Sequence, residues 1–248
     1  MKTQSLFLLA PLSLALCSCA TMEPKPQLDA KSAEIIHAMS GKLAAAKTVR
    51  ISATRTASPG FFVGETVAME AHINGVLQRP DKLASTARTN LGTREIRYDG
   101  KQLLLVDRAA KTHALVPAPA TIDEAVTSIE QHYGFMPPLA ELVVNNPEAV
   151  LLDGVKSGHW VSTEAIGKEP CEHLAFQQDN LAWEIWVSAQ DQLPRQLRVT
   201  YPNGEGGQPM VMTVTIQNVV LDGPVNAAEF KLTIPAGSRE LQMIPLND

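Results

Sequence analysis

The sequence predicts an α+β fold that is mainly β, with a curved antiparallel sheet laid over a short helical segment. Three observations predict it. Residues 121–152 carry helical spacing in mid-chain, where Ile122, Val126, Ile129 and Tyr133 recur along one face with Ala125 beside them. On either side of that stretch, apolar and polar residues alternate with period two, in short runs divided by turn residues. A helical stretch this apolar, set among strands, also needs a sheet to cover it.

The helical stretch has its own start and stop signals. Thr121 and Glu124 form a capping-box pattern, in which hydroxyl and carboxylate satisfy free backbone donors. Gly134 suits the left-handed stop position, and Pro137-Pro138 forbid continuation. Leu139, Leu142 and Val143 offer a second short helix, and Pro147 can open a third. Upstream, Asp29 or Ser32 can cap an earlier helix whose apolar stripe is Ile35, Ile36, Met39 and Leu43.

From residue 48 the period switches to two. Val49, Ile51 and Ala53 alternate with polar neighbours, Gly60 breaks the run, and Val67, Met69, Ala71 and Ile73 resume it. Arg79-Pro80-Asp81 marks a turn before a strand at 83–89, and 90–93 marks another. Asp99-Gly100 between 96–98 and 103–106 is a hairpin signal, because both turn positions of such a hairpin want positive φ. Leu103-Leu104-Leu105-Val106 is apolar on both faces, which predicts a central strand packed on each side. A strand at 112–116 closes this half. Beyond the helices come strands at 160–166, 172–177, 183–188 and 196–201, a Gly-rich turn at 203–207, a long strand at 210–220 and a last strand at 230–234. The Gly-rich turn joins two strands and opens no helix, so it is not a phosphate loop.

The 248 residues are 45% hydrophobic with a net charge of −5, an ordinary globular composition without a basic run. That argues against a nucleic-acid partner, which needs clustered Lys and Arg. Lys2, an apolar run at 6–16 and the small-residue exit Cys17-Ser18-Cys19-Ala20 predict an export signal over residues 1–20. The run contains Pro11 and is short for a membrane span. Leu16-Cys17-Ser18-Cys19 resembles a bacterial lipobox, with Leu at −3 and Ser at −1, while Cys17 at −2 is a less usual choice. Acylation at Cys19 would tether the protein to a membrane, and Ala20 after it implies the outer membrane. Plain cleavage after Ala20, leaving a soluble protein, is the other reading. Residues 21–28 suit a tether, and 29–248 read as a single domain. Cys171 alone remains beyond the leader and has no partner within the chain for a disulfide.

The segments PDKLASTARTN, REIRYDGKQLLLVD, APATIDEAVTSIEQHYG, CEHLAFQQDNLAWEIWV, LPRQLRVTYP and AEFKLTIPAG together resemble a family of predicted bacterial periplasmic proteins with a fold like the lipoprotein carriers LolA and LolB. The resemblance covers nearly the whole mature chain. It implies an antiparallel incomplete β-barrel curled around helices, and the 230–237 ending looks like the close of that domain. No ligand-contacting residue of the carriers matches a position here, so none is carried over. Relatives of this shape take part in envelope-stress signalling, which implies an envelope protein as an alternative partner.

No enzyme motif is present: there is no nucleophile elbow, no HExxH helix and no P-loop. Cys171 and His173 share a strand face and could supply two metal ligands, but a third is not evident, so no metal and no cofactor is expected. Asp123, Glu124 and Glu130 read as cap and dipole residues rather than paired acids. Leu181, Trp183, Ile185 and Val187 share one strand face, and Met210, Met212, Val214 and Ile216 another. Each is core on the plain reading. The sharper reading is a cleft between sheet and helices that accepts a lipid or acyl chain, with Ile122, Val126, Ile129, Tyr133, Leu139, Leu142, Trp183, Ile185, Met210 and Met212 as candidate ligand-binding residues.

Overall fold

The structure is a computed structural model, which describes residues 26–61, 67–134, 139–202 and 207–246. The leader, the Cys19 anchor, the start of the tether, Pro137-Pro138 and most of the Gly-rich turn lie outside the described residues.

The described chain runs β1 (Gln27–Leu28), α1 (Ala30–Ala45), β2 (Thr48–Ala57), β3 (Met69–Gln78), β4 (Lys82–Thr89), β5 (Gly92–Tyr98), β6 (Gln102–Asp107) and β7 (Thr112–Pro117). Then come α2 (Ile122–Tyr133), a 3-10 turn (Ala140–Leu142) and α3 (Pro147–Leu151). The second half holds β8 (Ser157–Ile166), β9 (Glu169–Gln177), β10 (Ala182–Ser188), β11 (Pro194–Tyr201) and β12 (Met210–Leu221), with a 3-10 turn (Ala227–Phe230) and β13 (Arg239–Glu240) at the end. All thirteen strands form one sheet in the order β1-β8-β9-β10-β11-β12-β2-β3-β4-β5-β6-β7-β13. Two antiparallel meanders, β2–β7 and β8–β12, are thus joined side by side at β2 and β12. Among the described residues, only the two-residue edge strands pair parallel, β1 with β8 and β13 with β7. The mainly β class with an open, helix-filled sheet is as expected from sequence; the parallel edges make the sheet mixed.

This order explains the helical plug. The chain leaves β7 near one edge and re-enters at β8 near the other, which a flat sheet would place roughly 48 Å away at about 4.8 Å per strand. The connection crosses the inner face, and one contiguous core joins α1, α2, the 3-10 turn and α3 to strands from β6 to β9. Local signals set the helices. Asp29 caps α1 by accepting the Ser32 N–H, and Ile36, Met39 and Leu43 are fully buried. The Thr121 hydroxyl oxygen accepts the Glu124 N–H and its O–H faces the Glu124 carboxylate, while Gly134 takes the left-handed conformation at the stop. Asn146 caps α3, with Pro147 in its first turn. Arg79, just past the end of β3, donates to the carbonyls of Leu43, Ala46 and Val144 and to Asn145 Oδ1, tying the end of α1 to the plug.

The outer face is covered unevenly. After β12 the chain crosses outside β3 and β4 as a strap, burying Phe230 against Val76 and Ala84, and reaches β7, where the Ser238 hydroxyl hydrogen-bonds His113 Nδ1. The doubly apolar β6 is buried on both faces: Leu103 joins the inner core, while Leu104 and Val106 are buried on the opposite face. β6 lies near an edge of the sheet, not at its centre.

Three local expectations are corrected. The run at 230–234 is not the last strand, because Phe230 ends a 3-10 turn and the following residues join no ladder until Arg239–Glu240. At Asp99-Gly100 only Gly100 has positive φ; the Asp99 carboxylate instead accepts the N–H groups of Lys101 and Gln102. Gln27 and Leu28, read as the end of the tether, join the sheet edge.

A candidate ligand-binding cleft

Strands β10, β11, β12 and β2 turn their inner faces toward the helical segment without touching it everywhere. Between them lies a cleft of about 810 Å³. Its sheet wall is Trp183, Leu197, Val199, Tyr201, Met212 and Val214, brought together by register: Trp183 pairs Val199, which pairs Met212, and Leu197 pairs Val214. Its opposite wall is Leu139, with Ala149, Val150 and Leu151 of α3, Glu130 of α2 and the Gly134 stop. Phe61 and Tyr201 meet edge to face, with ring centroids 5.6 Å apart. A volume of this size is that of a small-molecule site.

The apolar lining carries a few polar groups. Arg55 falls on the inner face of β2, opposite Val214. Burial, and then the neighbouring charge of Arg94, pulls its guanidinium below the usual arginine range. Glu141, half-buried on the 3-10 turn, has its carboxyl pushed up by burial, which disfavours the charged form. Glu130, read from sequence as a cap and dipole residue, also lines the cleft.

Of the ten candidate ligand-binding residues, the structure places Leu139, Trp183 and Met212 on the cleft. Ile122, Val126, Ile129, Leu142 and Ile185 are packed inside the core, and Tyr133 lies half-buried against it. Met210 sits at the start of β12, beside Gly60. Leu197, Val199, Tyr201, Leu151 and the polar Arg55 and Glu141 were missed. The pleat of 196–201 marks the first three as sharing a face, but which face meets a cleft depends on pairing between distant strands.

Cys171 and His173 do share the outer face, yet His173 directs both ring nitrogens at carboxylates, Nδ1 to Glu164 at 2.6 Å and Nε2 to Glu184 at 2.9 Å. Trp186 stacks on the imidazole at 4.2 Å. Cys171 is fully buried, and burial pushes its thiol up. Among the described residues no group of His, Cys, Asp and Glu is arranged to hold a metal ion.

Residues 32–244 match a protein family described as "Predicted periplasmic protein (DUF2092)". No curated protein matches in sequence. Among solved structures, the chain is similar to an uncharacterized conserved protein from Thermus thermophilus, with a TM-score of 0.49 and 10% identity over 85% of this chain and 98% of that one. It is also similar to LprF from Mycobacterium bovis, with a TM-score of 0.46 and 11% identity over 84% and 98% of the two chains. A third is the MucA/MucB complex of Pseudomonas aeruginosa, with a TM-score of 0.44 and 10% identity over 82% of this chain and 62% of that one.

Proposed function

The chain belongs to the DUF2092 family of predicted periplasmic proteins, and from that premise we propose that it is a non-catalytic periplasmic binding protein for a lipid or acyl chain. The observation that carries this reading is the cleft of about 810 Å³ with a mostly apolar lining, left open between α2, α3 and β10–β12. An acyl chain entering it gains about 25 cal/mol per Å² of apolar surface removed from water. Met212 can adapt to chains of different shape, and Trp183 offers a flat apolar wall. Arg55, Glu130 and Glu141 supply polar contacts for the other end of such a ligand.

Lipid extraction and mass spectrometry of the protein purified from cells is the direct test. The expected result is a co-purifying lipid, together with saturable binding of a fluorescent fatty acid that is lost in Val199→Trp, which fills the cleft. Protein that is lipid-free and silent toward the probe, but recovered with one stoichiometric envelope polypeptide, would replace this reading with a protein-binding one.

Cys19 completes the proposal as an acylated anchor that holds the domain at the outer membrane. Metabolic labelling with a fatty-acid analogue should mark the wild type and not Cys19→Ala; equal labelling of both removes the anchor.

A further inference from the structure

A second cleft, of about 410 Å³, opens on the outer face of the sheet, behind the apolar one. Its floor is β2, β3 and β4, and one wall is the strap at Glu229. Three features give it a defined chemistry. Arg50 is held by a two-point ion pair, its terminal nitrogens 2.9 and 3.1 Å from the Glu229 carboxylate oxygens. Arg97 lies across the cleft and donates one terminal nitrogen to the carbonyls of Ser85 and Ile96, with Glu95 3.4 Å from the other. Since a guanidinium has five donors, both arginines keep N–H groups with no acceptor among the described residues. The charges lining the cleft are two arginines and one carboxylate, so it is cationic within an acidic protein.

The other lining groups are uncharged and unspent. The side chains of Ser52, Asn74, Thr86 and Asn218 line the cleft and make no hydrogen bond to the described residues. Asn218 is there because β12 bulges between Ile216 and Asn218, which sets Asn218 rather than Gln217 opposite Ser52. Bulges of this kind re-aim a side chain. Amides and hydroxyls offer donors and acceptors together, the match for a ligand's own hydroxyls.

We propose that this outer cleft is a binding site for a small hydroxylated oxyanion, of the class of sugar acids and sugar phosphates. The arginines take the carboxylate or phosphate, and Asn74, Asn218, Ser52 and Thr86 take the hydroxyls. The site is on the opposite face from the acyl cleft and stands or falls separately from it.

Calorimetric titration of the whole domain with glucuronate, glucose 6-phosphate, glucose and inorganic phosphate tests it. Glucuronate or glucose 6-phosphate should bind, with glucose and inorganic phosphate each at least about tenfold weaker, the scale of one lost charge-assisted contact. Which of the two binds tells a carboxylate site from a phosphate one. Asn74→Leu and Arg97→Met should each weaken that binding by about tenfold or more, while leaving the far-ultraviolet circular dichroism spectrum as in the wild type, which shows that the variants are folded. Equal binding of glucose, equal binding of inorganic phosphate, no binding by any of the four, or binding that survives both substitutions overturns the proposal.

Discussion

Between the 3-10 turn and strands β2–β4 the helical segment leaves a void of about 40 Å³, whereas between α2, α3 and β10–β12 it leaves about 810 Å³. These are two halves of one inner face. In the filled half, Leu139, Ala140 and Val143 face Val49, Ile73, Leu77 and Leu83 across that small void, and outside it the strap buries Phe230 against Val76 and Ala84 beside the outer cleft. In the open half the inner face is left uncovered, and the outside carries polar clamps: Arg195 between Glu169 and Asp191, His173 between Glu164 and Glu184, and Arg198 on Glu184. Where helices cover a sheet on one side and a strap on the other, packing holds it. Charged pairs lie outside both halves, Arg50–Glu229 and Arg108–Glu95 on the filled one, so the halves differ in what covers the inner face.

The largest effects should separate the halves by substitution. Leu77→Ala removes a buried side chain from the filled half and is expected to cost about 2–5 kcal/mol in urea denaturation. Met212→Ala, on the half-exposed wall of the cleft, should cost less than half as much and weaken acyl binding instead. Equal losses of stability would break the comparison.

Next comes Gly158, where β1, β8 and β9 meet. A Cβ there would lie 2.3 Å from the Phe176 ring, which stacks on Trp183 at 4.0 Å, and 2.8 Å from Leu28. Gly158→Ala should therefore destabilise by about 1–3 kcal/mol and perturb Trp183, visible as a shift in its emission.

Acid should reach both halves: Glu95 and Glu229 in the filled half are held below the usual range by hydrogen bonds from Arg108 and Arg50, and the open half has a matching group. Its clamp carboxyl Glu169 is held below the usual range by hydrogen bonds from Arg195 and Ser188. A folded value below the unfolded one means that the stabilisation is complete above about pH 4.3 and is lost as pH falls through the depressed value. All three tryptophans, Trp160, Trp183 and Trp186, lie in β8 and β10, so their fluorescence reports on this half alone. Emission and far-ultraviolet circular dichroism should change at the same pH; emission that changes at the higher pH would show that the open half is the weaker one in acid.

The smallest effect is a gain. Gly75 lies in β3 beside the 40 Å³ void, with nothing within 4 Å of the position of a Cβ. Gly75→Ala is expected to stabilise by about 0.4–1 kcal/mol, largely by restricting the unfolded chain, as read from the denaturation midpoint.

The parts of the fold legible in the sequence are those fixed by near neighbours. Caps at Asp29 and Thr121, the helix start at Pro147, the stop at Gly134 and the alternation of β2, β3 and β10 all act within a few residues, and each appears in the structure. The strap was misread because Phe230, Leu232 and Ile234 alternate as a strand does, although only Phe230 is buried and no ladder forms. The cleft was legible as a face and not as a place. Helical spacing shows that Ile122, Val126 and Ile129 are apolar together, but how far the sheet stands off from them is set by pairing between β11, β12 and β2, residues far apart in the chain. Arg55 and Glu141 carried no local signal at all, since a charged residue in an alternating run looks solvent-facing until its neighbours are known.

At one margin of the sheet, Gln27 and Leu28 pair with Ser157 and Gly158, and the Asp29 carboxylate takes the Trp160 N–H at 2.7 Å. These few residues blunt a ten-residue strand whose bare hydrogen-bonding groups would otherwise invite another chain to add on. Protease trimming past Asp29 would therefore bare the edge at Ser157 and Gly158 and strip α1 of its cap in the same cut.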